Sequence, residues 1–278
     1  MKIVILTSKN HIYANFALNK LIKDGVFNNH TIKVFEQDRL LPNKSNVKGV
    51  LCYLKSAGMY YVALQIAKQF LFNACRYVSA RVNNRKSFYF PYYKNALPNF
   101  CRKRFQRKAL GSTFDYIKKS KPDLILSIFS KEIIPKSIIQ IPIIGCVNLH
   151  PALLPFYRGI SPTFWCLANG EQKTGITLHY IDAGIDTGAI ISQKEIDIKE
   201  VMTEHALYMR CAKEGAKLVS DFLYQLKNNT NALRQTIENS KEGNYYRLPS
   251  KRAVNQFYKH GYRFFLLNEF MGHSKNIF

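Results

Sequence analysis

Asn148 and His150 sit two residues apart at the end of the run Gly145-Cys146-Val147-Asn148-Leu149-His150, whose make-up predicts a strand. The period of two along a strand sends both side chains to the same face. An amide can donate a hydrogen bond to an oxygen on which negative charge develops. An imidazole can do the same when protonated, or carry a proton between groups. Pro151 and Pro155 follow and would stop the strand and fix its exit. Downstream, Asp182-Ala183-Gly184-Ile185-Asp186-Thr187-Gly188 places two carboxylates in a glycine-rich turn. A carboxylate beside His150 would orient the ring and favour its charged form. The residues alone leave two readings of that turn open, a catalytic carboxylate or an ordinary Asx cap.

Such groups need a rigid frame, and the apolar runs supply one. Residues 3–6 read as a buried strand, residues 12–21 repeat apolar positions at helical spacing, and residues 31–35 alternate as a second strand. Residues 123–129 form a near-continuous apolar run after Pro122, the pattern of a parallel strand covered on both faces. A short helix over residues 133–140 would lead to the strand that carries Asn148 and His150. This alternation predicts an α/β fold with a mostly parallel sheet flanked by helices. Side chains at the carboxyl end of such a strand sit where these folds place their ligands. Beyond it, residues 175–181 and 189–195 alternate strictly and predict a paired-strand unit, and Thr203 is placed to cap a helix reaching about Leu226.

The chain has 278 residues, with 41 Lys+Arg against 18 Asp+Glu, a formal net charge of +23. An excess of that size points to an anionic partner or substrate: phosphate, nucleic acid or a lipid surface. Length and a 47% hydrophobic composition exclude disordered and collagen-like classes, and support a core that needs no disulfide or metal. The six cysteines are widely scattered, which predicts no zinc cluster and suits reduced thiols in the cytoplasm. No apolar stretch is long enough for a membrane span. Residues 40–114 hold fourteen Lys or Arg and no Asp or Glu. Within them, residues 59–78 predict an amphipathic helix with a narrow polar stripe at Gln65, Lys68, Gln69, Asn73 and Arg76, followed by aromatic and arginine clusters. This insertion suits either packing on the core with solvated cations or contact with an anionic surface.

The run from Asn148 to Pro162, Asn-Leu-His-Pro-Ala-Leu-Leu-Pro-Phe-Tyr-Arg-Gly-Ile-Ser-Pro, followed by Thr177–Asp182 and Gly184-Ile185-Asp186-Thr187-Gly188, resembles the folate-dependent formyltransferases. That family includes glycinamide ribonucleotide transformylase, methionyl-tRNA formyltransferase and the sugar N-formyltransferases. The resemblance covers about residues 122–226 and implies a Rossmann-like formyltransferase fold. It implies Asn148, His150 and Asp186 as the catalytic trio and 10-formyltetrahydrofolate as the donor, with no metal. It also implies folate contacts in two loops, at Ile133, Ile134 and Pro135 and at Asp182 and Ile185. Lys131-Glu132 depart from the small or glycine-rich opening usual in the first loop. In transformylase relatives a glycine-rich loop before the first helix holds a substrate phosphate; here Ser8, Lys9 and Asn10 occupy that place. Arg158 of the Arg-Gly loop, and Tyr245 and Arg247 in the tail, are further candidate substrate contacts, against a turn and an edge-closing strand and helix as the plain alternatives. His179 reads as a support beneath the second loop.

Residues 1–228 are thus expected to form a catalytic domain carrying the insertion 40–114, with 229–278 as a C-terminal extension. The expected reaction is N-formylation of a primary amine, an amino sugar on a phosphate-containing carrier, nucleotide or lipid. That acceptor is a small or lipid-linked anionic amine, with a cytoplasmic enzyme in peripheral contact with the inner face of an anionic membrane. Two alternatives stand beside it. One is an enzyme resembling methionyl-tRNA formyltransferase, disfavoured because few residues follow Asn228 to build a tRNA-binding barrel. The other is an inactive basic module that binds membrane or nucleic acid.

Overall fold

The computed structural model describes residues 1–42, 44–82, 110–199, 202–228, 236–240 and 242–270. Its frame is a six-stranded sheet built from β1 (Lys2–Ser8), β2 (Thr31–Gln37), β3 (Leu124–Ile128), β4 (Gly145–His150), β6 (Lys173–Tyr180) and β7 (Ile190–Asp197), in the order β2-β1-β3-β4-β6-β7. The first four strands run parallel, and β6 and β7 are antiparallel additions. The chain is therefore α/β, as its apolar runs predict. β1 and β3 take central places because helices cover both faces: Ile3, Ile5, Leu124 and Leu126 pack into one cluster, Val4, Leu6 and Ile125 into the other. On the larger cluster lie α1 (Ile12–Lys23) and the long helix α7 (Glu204–Asn228). α7 starts as expected at Thr203, whose hydroxyl accepts from the Ala206 amide at 3.0 Å.

On the smaller cluster lie Ile117 of α4 (Leu110–Ser120) and Ile138 of α5 (Lys136–Ile139). The helix expected over 133–140 shrinks to those four residues, because Pro135 holds the chain before it extended.

The basic insertion contributes α2 (Asn46–Ala57) and α3 (Met59–Val82) ahead of α4. α3 is the helix expected over 59–78, a little longer, but its polar stripe does not face solvent. Lys68 is buried, while Met59, Ile66 and Phe70 are exposed. The aromatic and arginine clusters at 88–93 and 102–104 lie outside the described residues.

The described part of residues 229–278 joins the same core. β8 (Tyr245–Tyr246) pairs in parallel with the two-residue strand β5 (Arg158–Gly159). α8 (Lys251–Lys259) buries Ala253, Val254 and Phe257 against α6 (Pro162–Ala168) and α2.

Candidate active site

β4 ends with Asn148 and His150, and antiparallel pairing sets His179 of β6 directly opposite Asn148. The loop after β6 returns Asp186 to this strand end. Its backbone takes a positive φ of 54°, unusual for a residue with a side chain. The result is one cluster. Asp186 Oδ2 lies 3.6 Å from His150 Nδ1, and Asp186 Oδ1 lies 3.7 Å from His179 Nε2. Asn148 Nδ2 donates toward Asp186 Oδ1 at 3.5 Å and pairs with His179 Nε2 at 3.2 Å. The Gly159 amide donates to Asp186 Oδ2 at 2.9 Å. Position 159 must be glycine: φ is +97°, and a Cβ there would collide with the Tyr246 carbonyl oxygen.

Hydrogen bonds on the far side of each ring set the donors. His179 Nδ1 donates to the Tyr180 carbonyl at 2.7 Å. Burial pushes the His179 pKa down to about 4, so the ring is neutral and its Nε2 is an acceptor, which turns the Asn148 amide nitrogen toward it. His150 Nε2 donates to the Tyr157 carbonyl at 2.9 Å, leaving Nδ1 on the side of Asp186. Both ring nitrogens face oxygen acceptors, so a protonated ring donates at both.

This cluster forms the floor of a cavity of about 610 Å³. One rim is the loop after β3, with Ile133 and Ile134, and another is the loop carrying Asp182, Ile185 and Asp186. Tyr245 borders it as well. The opposite wall comes from the insertion: Tyr53, Tyr61, Gln65, Lys68 and Gln69. Lys68 is buried and meets Glu204 Oε2 at 2.8 Å, tying α3 to α7. Such a pair is costly to split, since either partner alone would be a buried unpaired charge. Lys131 also lines the cavity; it keeps solvent access, yet crowding protein atoms and the charge of Lys68 lower its pKa.

Other residues expected to touch ligands lie elsewhere. Ser8, Lys9 and Asn10 do not border the cavity. Ser8 donates to the Phe129 carbonyl at 3.2 Å, Lys9 pairs with Asp38 at 3.2 Å, and the start of α1 is capped by His11 Nδ1, which accepts from Ala14 at 3.2 Å. Burial lowers the His11 pKa to about 3, so the ring stays neutral and the cap holds. Residues 8–10 therefore lie outside this cavity, with Ser8 and Lys9 engaged in contacts within the chain. Pro135 starts α5 away from the cavity. Arg158 is buried and donates to the Ser240 carbonyl at 2.5 Å and to Asn239 Oδ1 at 3.3 Å, so it joins the C-terminal segment to the site and does not reach the cavity. Arg247 also lies outside, its carbonyl accepting from Trp165 Nε1 at 3.0 Å.

Two residues escaped the sequence reading. Asn239 Nδ2 donates to the carbonyls of Asp186 at 3.0 Å and Gly188 at 3.1 Å, bracing the aspartate loop. Asn244 Oδ1 accepts from the Tyr157 amide at 2.5 Å, steadying the residue whose carbonyl holds His150. Their partners are backbone groups far away in the chain, and that leaves no mark in residue type or spacing. His179 was legible as a support, but its place opposite Asn148 needed the strand register.

A sheet with this strand end and this cluster defines the class. Residues 1–223 match the formyl transferase family, and the chain belongs to it. Methionyl-tRNA formyltransferase of Clostridioides difficile is 38% identical over 141 residues, 51% of this chain and 45% of that protein. The chain spans less than half the length of the first curated relatives it matches. Among solved structures, a 4-N formyltransferase from Francisella tularensis covers 93% of this chain and 87% of its own, with a TM-score of 0.53 at 18% identity. An N-formyltransferase from Helicobacter canadensis, solved with folinic acid and dTDP-3-aminofucose, covers 88% and 70%, with a TM-score of 0.56 at 18% identity. These likenesses establish a shared fold.

Proposed function

We propose that the protein transfers a formyl group from 10-formyltetrahydrofolate to the primary amine of an amino sugar held on a phosphate-containing carrier. The observation that carries formyl transfer is the Asn148–His150–Asp186 cluster on the floor of a cavity walled by two loops. The cavity fits the donor in kind: Ile133, Ile134 and Ile185 give apolar walls for a flat ring, and the loops add backbone polar groups. The donor supplies an activated formyl carbonyl. The chain's residues act around it. Protonated His150 donates from Nδ1 to the carbonyl oxygen as it gains charge. Asn148 adds a second donor once its weak 3.5 Å contact with Asp186 is released. Asp186, 3.6 Å from Nδ1, favours the imidazolium by its charge and takes up the proton lost by the attacking amine, passing it toward the departing folate nitrogen.

Two observations support the sugar acceptor. The Francisella and Helicobacter enzymes cover 93% and 88% of this chain, and the second was solved with a nucleotide-linked amino sugar. The wall formed by Tyr53, Tyr61, Gln65 and Gln69 is rich in tyrosine and amide groups, which suit a sugar's faces and hydroxyls. Lys131 lines the same cavity and, in this reading, is the cation that meets a carrier phosphate. The cytoplasmic setting belongs to the same proposal. A second reading, formylation of methionyl-tRNA, is favoured by the 38% identity to the Clostridioides enzyme. The deciding experiment incubates the protein and 10-formyltetrahydrofolate with nucleotide-linked amino sugars, lipid-linked amino sugars, glycinamide ribonucleotide and methionyl-tRNA, and reads the formamide by mass spectrometry. Formylated sugar is expected. Turnover of methionyl-tRNA above every sugar would install the second reading.

A further inference from the structure

α3 presents two unlike faces. Its inward face carries Gln65, Lys68 and Gln69 to the cavity. Its outward face is apolar: Met59 is 79% exposed, Phe70 70% and Ile66 62%, with Tyr60, Tyr77 and Val78 also open. Among the described side chains of α3, every exposed one is uncharged and apolar or aromatic. Met59, Ile66, Phe70 and Tyr77 recur at helical spacing, so they form one row, with an aromatic ring such as Phe70 offering on the order of 100 Å². A row of this size usually marks an interaction site.

Charge decides what occupies it. The neighbouring helix α2 exposes Lys48 and Lys55. By sequence, residues 83–109 after α3 hold eight Lys or Arg and no Asp or Glu. A second copy would bring another +23 against this basic region, and like charges oppose that contact. An anionic bilayer matches both the apolar row and the exposed lysines of the neighbouring helix α2. No helix among the described residues is long and apolar enough to cross a membrane, so the contact is interfacial.

We propose that the outward face of α3 seats the protein on an anionic lipid surface, with the apolar row at the acyl boundary and Lys48 and Lys55 of α2 at the headgroups. Ile66 belongs both to this face and to the cavity lining, so docking would set the cavity mouth beside the lipid. The proposal is independent of which amine is formylated.

The test is co-sedimentation with vesicles of phosphatidylcholine alone and with about 30 mol % phosphatidylglycerol, at about 0.1 M and about 0.5 M salt. The expected result is binding to anionic vesicles only, weakened by salt. The double variant Met59→Ser/Phe70→Ser should lose at least about tenfold in apparent affinity, with its melting temperature and folate binding unchanged, since neither residue lines the cavity. Equal binding to both vesicle types, no binding, or a variant that binds like the parent would each overturn the proposal. So would a concentration-dependent dimer of the parent that the variant abolishes, which would assign the face to a second copy. Loss of binding with protection of Met59 and Phe70 in oxidative footprinting would assign it to another part of the chain. None of these outcomes bears on formyl transfer.

Discussion

Asn148 cannot donate to a developing oxyanion while keeping both of its present partners, His179 Nε2 and Asp186 Oδ1. In the proposed reaction the longer contact yields, which makes Asp186 both a rival for the amide and a partner of His150. His150→Ala and Asn148→Ala should each lower kcat by about a hundredfold to a thousandfold, with folate affinity and fold retained. Asp186→Asn should be impaired at least as severely, because an amide neither takes up the proton nor pairs with imidazolium. Steady-state kinetics with the acceptor found in the panel, and folate binding by calorimetry, check this; an Asn148→Ala enzyme with most of its turnover would remove the amide from the mechanism. Asn148 and His150 could be read from the sequence because a two-residue spacing on a strand fixes their shared face. Residue type and spacing left Asp186 as one of two carboxylates; the family resemblance singled it out, and the folded loop brings it to His150 and Asn148. Arg158 stayed open between substrate contact and turn, because a guanidinium beside a glycine looks the same in sequence whether it serves a ligand or, as in the fold, a backbone carbonyl.

The sheet was legible as elements because continuous apolar runs have few other uses, and paired alternation marks β6 and β7. The orientation of α3 was not. A polar stripe on a basic helix reads as its wet face, and burying Lys68 there depends on Glu204, a residue far along the chain. The C-terminal brace was hidden for a similar reason. Asn239 spans the Asp186 and Gly188 carbonyls and does not line the cavity, so in the proposed reaction it positions the carboxylate. Asn239→Ala should lower kcat by about tenfold or more while acceptor KM stays near the parent value, because removing such bonds costs about 1–3 kcal/mol in loop order. Asn239→Asp should not rescue it, since a carboxylate cannot donate to two carbonyls. A parallel rise in KM and unchanged kcat would place Asn239 in binding rather than positioning.

Across the whole molecule, three buried histidines share one electrostatic condition. Burial is the leading cause that lowers His11 and His205 to about 3 and His179 to about 4. Their unfolded value is near 6.5, so the unfolded chain binds more protons between about pH 6.5 and 4, and stability falls on acidification through that window. Glu269, raised by burial, works in the opposite direction near the carboxylate range. The net expectation is a loss on the order of a few kcal/mol from pH 7 to pH 4.5, read by chemical denaturation at each pH. His205→Gln should flatten the slope, and a flat parent profile would contradict neutral buried rings. The brace at Asn239 and Asn244 also imposes an order in time. Both groups are translated after β4, the Arg-Gly loop and the aspartate loop they secure, so a ribosome-bound chain that has emerged only through Gly188 holds Asn148, His150 and Asp186 but lacks the bonds that brace them. Catalytic competence would then arrive as a late event of synthesis, after the sheet that houses it is already made.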